Sequence, residues 1–200
     1  MKTQCFTGNG FVLVSEALEA GECEAVANRV GLADAPSGGT RGLLSQDGCV
    51  ALAKKLRTHP TIALLVLPDF IAVQCTYFEK SASRNWLVPI HQDLSIPVAE
   101  HVDSSDLHGW SEKEDVLFVQ APIATLEQLI IVRLHLDPCR LTDGPLRVVP
   151  GSHVRGRITP EAALIEKRSS GEVTCVADPG DVLAMSPLLL HTAFGGLHRY

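Results

Sequence analysis

The chain has 200 residues, of which 46% are hydrophobic, with 17 Lys and Arg against 23 Asp and Glu for a net charge of −6. That length and apolar content suit one sizeable core, so a single domain over residues 1–200 is expected. The acidic balance speaks against nucleic acid or an anionic membrane surface as partner, because both need clustered Lys and Arg.

The opening MKTQCFTGNGFVLV has one lysine and no apolar h-region, so it is not read as a secretory signal. No apolar run reaches the 18 or so residues that a membrane helix requires. Six scattered cysteines (Cys5, Cys23, Cys49, Cys75, Cys139 and Cys175) form no C-x-x-C pair and read as reduced thiols, which points to the cytoplasm. Phe11 to Val14 is a short apolar run. After Ser15, the residues Ala17, Leu18, Cys23, Val26 and Val30 fit one face of a helix ending near Gly31. Residues 31–42, with Pro36, Gly38 and Gly39, predict a loop. Ser45 is the expected N-cap of a helix carrying Val50, Leu52, Ala53 and Leu56, stopped by His59-Pro60, and residues 61–67 predict a second, shorter helix. Residues 1–68 are therefore expected to be mainly helical.

From Phe70 the texture changes to strand-like runs broken by Pro, Gly and Asp: IAVQCTYF, WLVPIHQD, QLIIVRLHLD, PLRVVPGS, EVTCVAD and DVLAMSPLLLHTAF. Helical periodicity is weak from Pro145 onward. The fold class expected is mainly β with helical decoration, with a jelly roll or barrel over residues 69–200. Residues 98–125 are polar and irregular, and are expected to form a long loop covering an active site.

The chemistry concentrates in His-x-Asp triplets. In an extended strand, side chains i and i+2 point the same way, so a histidine and an aspartate so spaced can reach one ion together. With 8 His and 11 Asp, chance supplies about 0.4 such triplets, and the chain has three: His91/Asp93, His101/Asp103 and His135/Asp137. A mononuclear iron site of the two-histidine, one-carboxylate type needs one such pair and a distant histidine brought in by the fold. His101/Asp103 lies in AEHVDSSD, which reads as exposed loop. His135/Asp137 is the harder rival to His91/Asp93, because Arg133, His135 and Asp137 share one strand face. Downstream, His153 ends a PGSH turn, His198 is nearly terminal, and His191 follows the apolar run MSPLLL. The residues alone leave both pairs open.

In order along the chain, FEKSASRNWLVPIHQDLSIPV, GWSEKED, VRLHLDPCRLTDGPLRVVPGSH and DPGDVLAMSPLLLHTA resemble the phytanoyl-CoA dioxygenase family, particularly its small bacterial members. The resemblance implies a double-stranded β-helix, that is, a cupin-like jelly roll. It places the iron ligands on His91, Asp93 and His191 and makes His135 and Asp137 pocket-lining or structural. It implies Fe(II), 2-oxoglutarate and dioxygen as cofactor and cosubstrates, with release of succinate and carbon dioxide and hydroxylation of a small molecule. A retained Asp93 points to hydroxylation, since related halogenases vacate that position for chloride. By the same resemblance Arg199 is the anchor of the 2-oxoglutarate distal carboxylate, with Lys80 and Asn85 near the cosubstrate. Trp110, Arg133 and His135 are candidates for the substrate side. The sequence departs from the family pattern at Tyr200, where a second arginine is common, and at Ala193, where a serine often stands. A sheet edge left open there invites a homodimer formed by strand addition. The competing expectation is a metal-binding jelly roll without oxygenase activity.

Overall fold

A computed structural model describes residues 2–30, 39–79 and 87–193. The helical first part comprises α1 (Lys2–Asn9), α2 (Ala20–Val30) and α3 (Asp47–Thr58), with β1 (Phe11–Val14) between the first two. β2 (Gly39–Thr40) pairs with β3 (Tyr77–Phe78). The helices over 20–30 and 47–58 match the sequence pattern. Residues 61–67 shrink to a single 3-10 turn, and the N-cap of α3 is Gln46 instead of Ser45, whose hydroxyl bonds back to the Gly42 carbonyl.

The β part contains β4 (Val88–His91), β5 (Ser95–Val98), β6 (His108–Lys113), β7 (Val116–Gln120), β8 (Ile131–Leu134), β9 (Leu146–Val148), β10 (Val173–Thr174), β11 (Val182–Met185) and β12 (His191–Ala193). A short helix α4 (Ile123–Leu126) precedes β8, and α5 (Pro160–Ser170) lies between β9 and β10. Two sheets form the jelly roll: an antiparallel trio ordered β1-β11-β8 and an antiparallel quartet ordered β10-β9-β12-β4. Alternation of side chains splits each sheet into an inner and an outer face. Leu13, Ile131, Leu183 and Met185 of the trio meet Val88, Leu146, Val148 and Ala193 of the quartet in one core. On the trio's outer face Val12, Val14, Val182 and Ala184 pack against Leu56, Ile62 and Leu65 of the helical part. On the quartet's side, Ile90, Val149 and Leu190 pack against Ala163 of α5. Each fully buried Val or Leu in these layers contributes roughly 1.5–3 kcal/mol.

Two expectations fail here. Residues 98–125 are not irregular throughout: β5, β7 and β6 form a three-stranded antiparallel sheet, in which a two-residue turn at Glu114 and Asp115, both at positive φ, joins β6 to β7. Such a sheet keeps one face in water and so tolerates polar residues, while the turn has the left-handed geometry that matches strand twist. Residues 160–170, in the stretch where helical periodicity was weak, form α5. Thr159 caps it by accepting from the Ala162 amide, Pro160 sits at its start and Gly171 follows its end. The capping residues specify this helix more strongly than its apolar stripe does, because only Ala163 and Glu166 are buried. The helix α1 over residues 2–9 was likewise not foreseen.

Candidate metal centre

His91 ends β4 and His191 begins β12, and the antiparallel register sets these two residues directly opposite each other. Their rings lie 4.2 Å apart between centroids. Asp93, two residues past His91, is held by its backbone amide donating to the Pro187 carbonyl at 2.9 Å, which turns the chain back toward β12. Its two carboxylate oxygens then face the two rings: His91 Nε2 lies 3.6 Å from Oδ1 and His191 Nε2 lies 3.6 Å from Oδ2. One ligand atom from each of the three residues lies within 4.8 Å of the other two.

The proton positions follow from the partners. His91 Nδ1 is 2.9 Å from the Pro89 carbonyl, and His191 Nδ1 is 2.9 Å from the Leu189 carbonyl. A carbonyl only accepts, so each Nδ1 carries a proton and each ring, when neutral, presents its Nε2 lone pair to Asp93. Two neutral imidazole nitrogens and a carboxylate are then three acceptors converging on one point. That is a donor set for a divalent transition metal, with the ring orientation fixed from behind by backbone carbonyls.

The charges treat the two rings differently. The Asp93 carboxylate raises the His91 pKa above its ordinary value, against the opposing effect of burial, so a metal would displace a proton that His91 otherwise shares with Asp93. Burial lowers the pKa of His191, with Asp93 opposing. Burial also pushes the Asp93 carboxyl up, but the contact with His91 and the fields of His191 and Arg133 outweigh it and hold the group below the usual carboxylate range. The Asp93 side chain remains 46% accessible and that of His191 only 5%, so the site is a recess reached from one side.

Gln92, between the two ligands, faces away from them. Its amide nitrogen donates to the Gly156 and Leu188 carbonyls and its oxygen accepts from the Ile158 amide, which ties the ligand strand to two other segments. Sequence reasoning gave Gln92 no positioning role, and the carbonyls of Pro89 and Leu189 leave no signal in sequence.

The other candidates separate. His135 is buried and its Nδ1 faces the Asp181 carbonyl at 3.3 Å. Burial, reinforced by Arg133, lowers its pKa to about 4. Asp137 is exposed, so that triplet does not converge. His101 and Asp103 are exposed at 3.7 Å from each other, and His101 stacks on Trp110 at 4.1 Å, which pins the segment before β6. His153 also has a structural partner, the Thr7 carbonyl, and so secures the end of α1. Arg133 lies on the inner face of the trio. Arg199, Lys80 and Asn85 lie outside the described residues.

A jelly roll with this triad defines the class of Fe(II)/2-oxoglutarate-dependent oxygenases. The chain belongs to the phytanoyl-CoA dioxygenase (PhyH) family, which it matches over residues 6–196. No curated protein matches it in sequence. Among solved structures, EctD from S. alaskensis in its apo form is similar at a TM-score of 0.69 and 17% identity, over 96% of this chain and 70% of that one. HygX from Streptomyces hygroscopicus, with nickel, 2-oxoglutarate and hygromycin B bound, gives 0.65 and 16% over 99% and 82%. The non-heme alpha-ketoglutarate-dependent carbocyclase SnoK from nogalamycin biosynthesis gives 0.65 and 15% over 98% and 77%. At these identities the likeness is one of fold. Among the described residues, no helix is long and apolar enough to cross a membrane.

Proposed function

We propose that the protein hydroxylates a small molecule, with His91, Asp93 and His191 as the ligands of a single iron. The observation that carries the assignment is the convergence of three acceptor atoms within 4.8 Å, each ring locked by its own Nδ1 hydrogen bond. Bound iron, with 2-oxoglutarate and dioxygen, supplies oxidative decarboxylation of the keto acid to succinate and carbon dioxide and oxidation of a substrate C–H bond. The chain's part is to hold the metal on one side. His91, Asp93 and His191 would supply three ligand atoms and leave the rest of the metal's coordination to the reactants. Asp93 keeps its carboxylate and so favours hydroxylation over halide transfer. Gln92 fixes the strand that bears two of the ligands, and the carbonyls of Pro89 and Leu189 hold each ring with Nε2 turned toward Asp93.

Arg199, with Lys80 and Asn85, is the family-based assignment for the cosubstrate, and Trp110, Arg133 and His135 stand on the substrate side. We place the enzyme in the cytoplasm on its six free thiols. β1 and β8 are both edges of the trio among the described residues, which leaves room for a dimer by strand addition. Elution as a monomer only on size-exclusion chromatography would count against that dimer. The activity itself is tested by incubating the Fe(II)-loaded protein with 2-oxoglutarate in air and following succinate by NMR. Succinate formed by the wild type and lost in Asp93→Ala is the expected result. No succinate from a protein that holds iron would leave a metal-binding jelly roll without oxygenase activity.

A further inference from the structure

Arg133 is a charged residue on an inner face that is otherwise apolar. The β8–β11 register pairs it with Leu183, which in turn pairs with Leu13 of β1, so one row of the trio reads Leu13, Leu183, Arg133 across three strands. Leu13 and Leu183 belong to the core between the sheets, and alternation puts the Arg133 side chain on that same side. The quartet presents His91 and His191 toward it, in register with Val148.

Among the described residues this guanidinium has no paired counter-charge. Among the described residues no carboxylate lies within ion-pair distance of it, and no hydrogen bond partners it. Asp93 acts on it only at longer range, and that charge is committed to the metal on the reading above. The Cys139 and Cys175 sulfurs are the other groups that act on it, and burial pushes the Cys175 pKa up to about 11, so that thiol stays neutral. A largely enclosed cation without a partner among the described residues is unfavourable unless something supplies the missing charge. Arg133 also keeps intermediate exposure, like His91 and Asp93, whereas its neighbour Leu183 is fully covered. A guanidinium fork matches a carboxylate through two parallel hydrogen bonds.

We propose that Arg133 receives a ligand carboxylate between the two sheets, either the far carboxylate of 2-oxoglutarate or the acid group of the substrate. The inference rests on the iron and 2-oxoglutarate reading. It adds a cationic anchor on β8 that is distinct from an arginine following the distal histidine. If the cosubstrate is the source, Arg133 discriminates a dicarboxylic keto acid from a monocarboxylic one. If the substrate is the source, the enzyme acts on an acid.

The test uses the full chain loaded with Ni(II), which binds without turnover, and titrates 2-oxoglutarate and 2-oxobutyrate into wild type, Arg133→Met and Arg133→Lys by calorimetry. 2-Oxobutyrate chelates the metal in the same way but lacks the second carboxylate. Binding of 2-oxoglutarate weakened about tenfold to a hundredfold in Arg133→Met, with 2-oxobutyrate changed less than about twofold and Arg133→Lys in between, establishes the cosubstrate as source. If 2-oxoglutarate is unaffected, the saturated complexes are melted with acetate, benzoate and succinate in turn. An acid that stabilises wild type and not Arg133→Met establishes the substrate side. Met preserves length and removes an unpaired charge, so the variant should melt at or above the wild-type temperature. A lower melting temperature, with both keto acids bound as in wild type and no acid telling the proteins apart, would make Arg133 structural and overturn the inference. A wild type that binds neither keto acid would defeat the underlying reading, and this one with it.

Discussion

The chain carries two strands with the same polar pattern and opposite fates. On β4, His91 and Asp93 meet His191 from β12 and form a set of three acceptors in an accessible recess. Just past β8, His135 is hydrogen-bonded to the backbone around Asp181, is buried and neutral, and its companion Asp137 is exposed. A His-x-Asp triplet therefore acquires its chemistry from the strand opposite it. What β12 gives to β4 is a second imidazole in register, whereas His135 faces the Asp181 backbone, and the Asp181 carboxylate is taken up by the Glu16 and Asp178 amides.

The sharpest way to break this contrast is to remove the carboxylates one at a time. Asp93→Ala should weaken Ni(II) or Fe(II) binding by more than about a hundredfold, and Asp137→Ala should leave it unchanged, both measured by equilibrium dialysis against a chelator. Comparable losses from both variants would refute the assignment of the site to β4. Next comes the turn that supports the β8 end. Gly180 donates to the His135 carbonyl at φ +90°, and a Cβ there would lie 2.0 Å from the Leu18 carbonyl oxygen. Gly180→Ala should cost at least about 2 kcal/mol in urea unfolding, with metal affinity per folded molecule preserved.

Gln92→Leu should act on the β4 side. It removes three hydrogen bonds to backbone and leaves their partners buried, so a loss of about 2–4 kcal/mol and metal binding about tenfold weaker are expected. Full metal affinity in that variant would show that the ligand strand needs no such tie. The smallest effect concerns His135. Its folded pKa of about 4 lies below the ordinary value near 6.5, so the unfolded chain takes up the proton first. The stability contributed by neutral His135 is complete above about pH 6.5 and is lost as the pH falls toward about 4, amounting to at most roughly 3 kcal/mol. The melting temperature of the metal-free protein should accordingly fall less steeply over that range in His135→Gln than in wild type, and equal slopes would contradict the burial argument.

Much of this was legible in the residues. Strand texture after Phe70 and the amphipathic helices at 20–30 and 47–58 follow from period alone. From the residues alone the three metal ligands were legible only as alternatives, and the family resemblance chose among them. The triplets at 91 and 135 look alike until cross-strand register is known, and register over about a hundred positions of separation leaves no local trace. Helix α5 was missed because few of its residues are buried, although Thr159-Pro160 and Gly171 mark both of its ends. The strands over 108–120 were missed because Glu114 and Asp115 make a left-handed turn without glycine or asparagine, and because β6 is largely exposed. The tautomers of His91 and His191 depend on main-chain carbonyls that any residue could supply.

The most direct measurement is an anaerobic titration of the Fe(II)-loaded protein with 2-oxoglutarate, followed by visible absorption in the wild type and in Asp93→Ala. Chelation of the keto acid should produce a metal-to-ligand charge-transfer band that saturates with one equivalent of iron per chain and is absent from the variant. Iron retained without any band in the wild type, or a band that survives in Asp93→Ala, would contradict the account of His91, Asp93 and His191 as the site of an oxygenase.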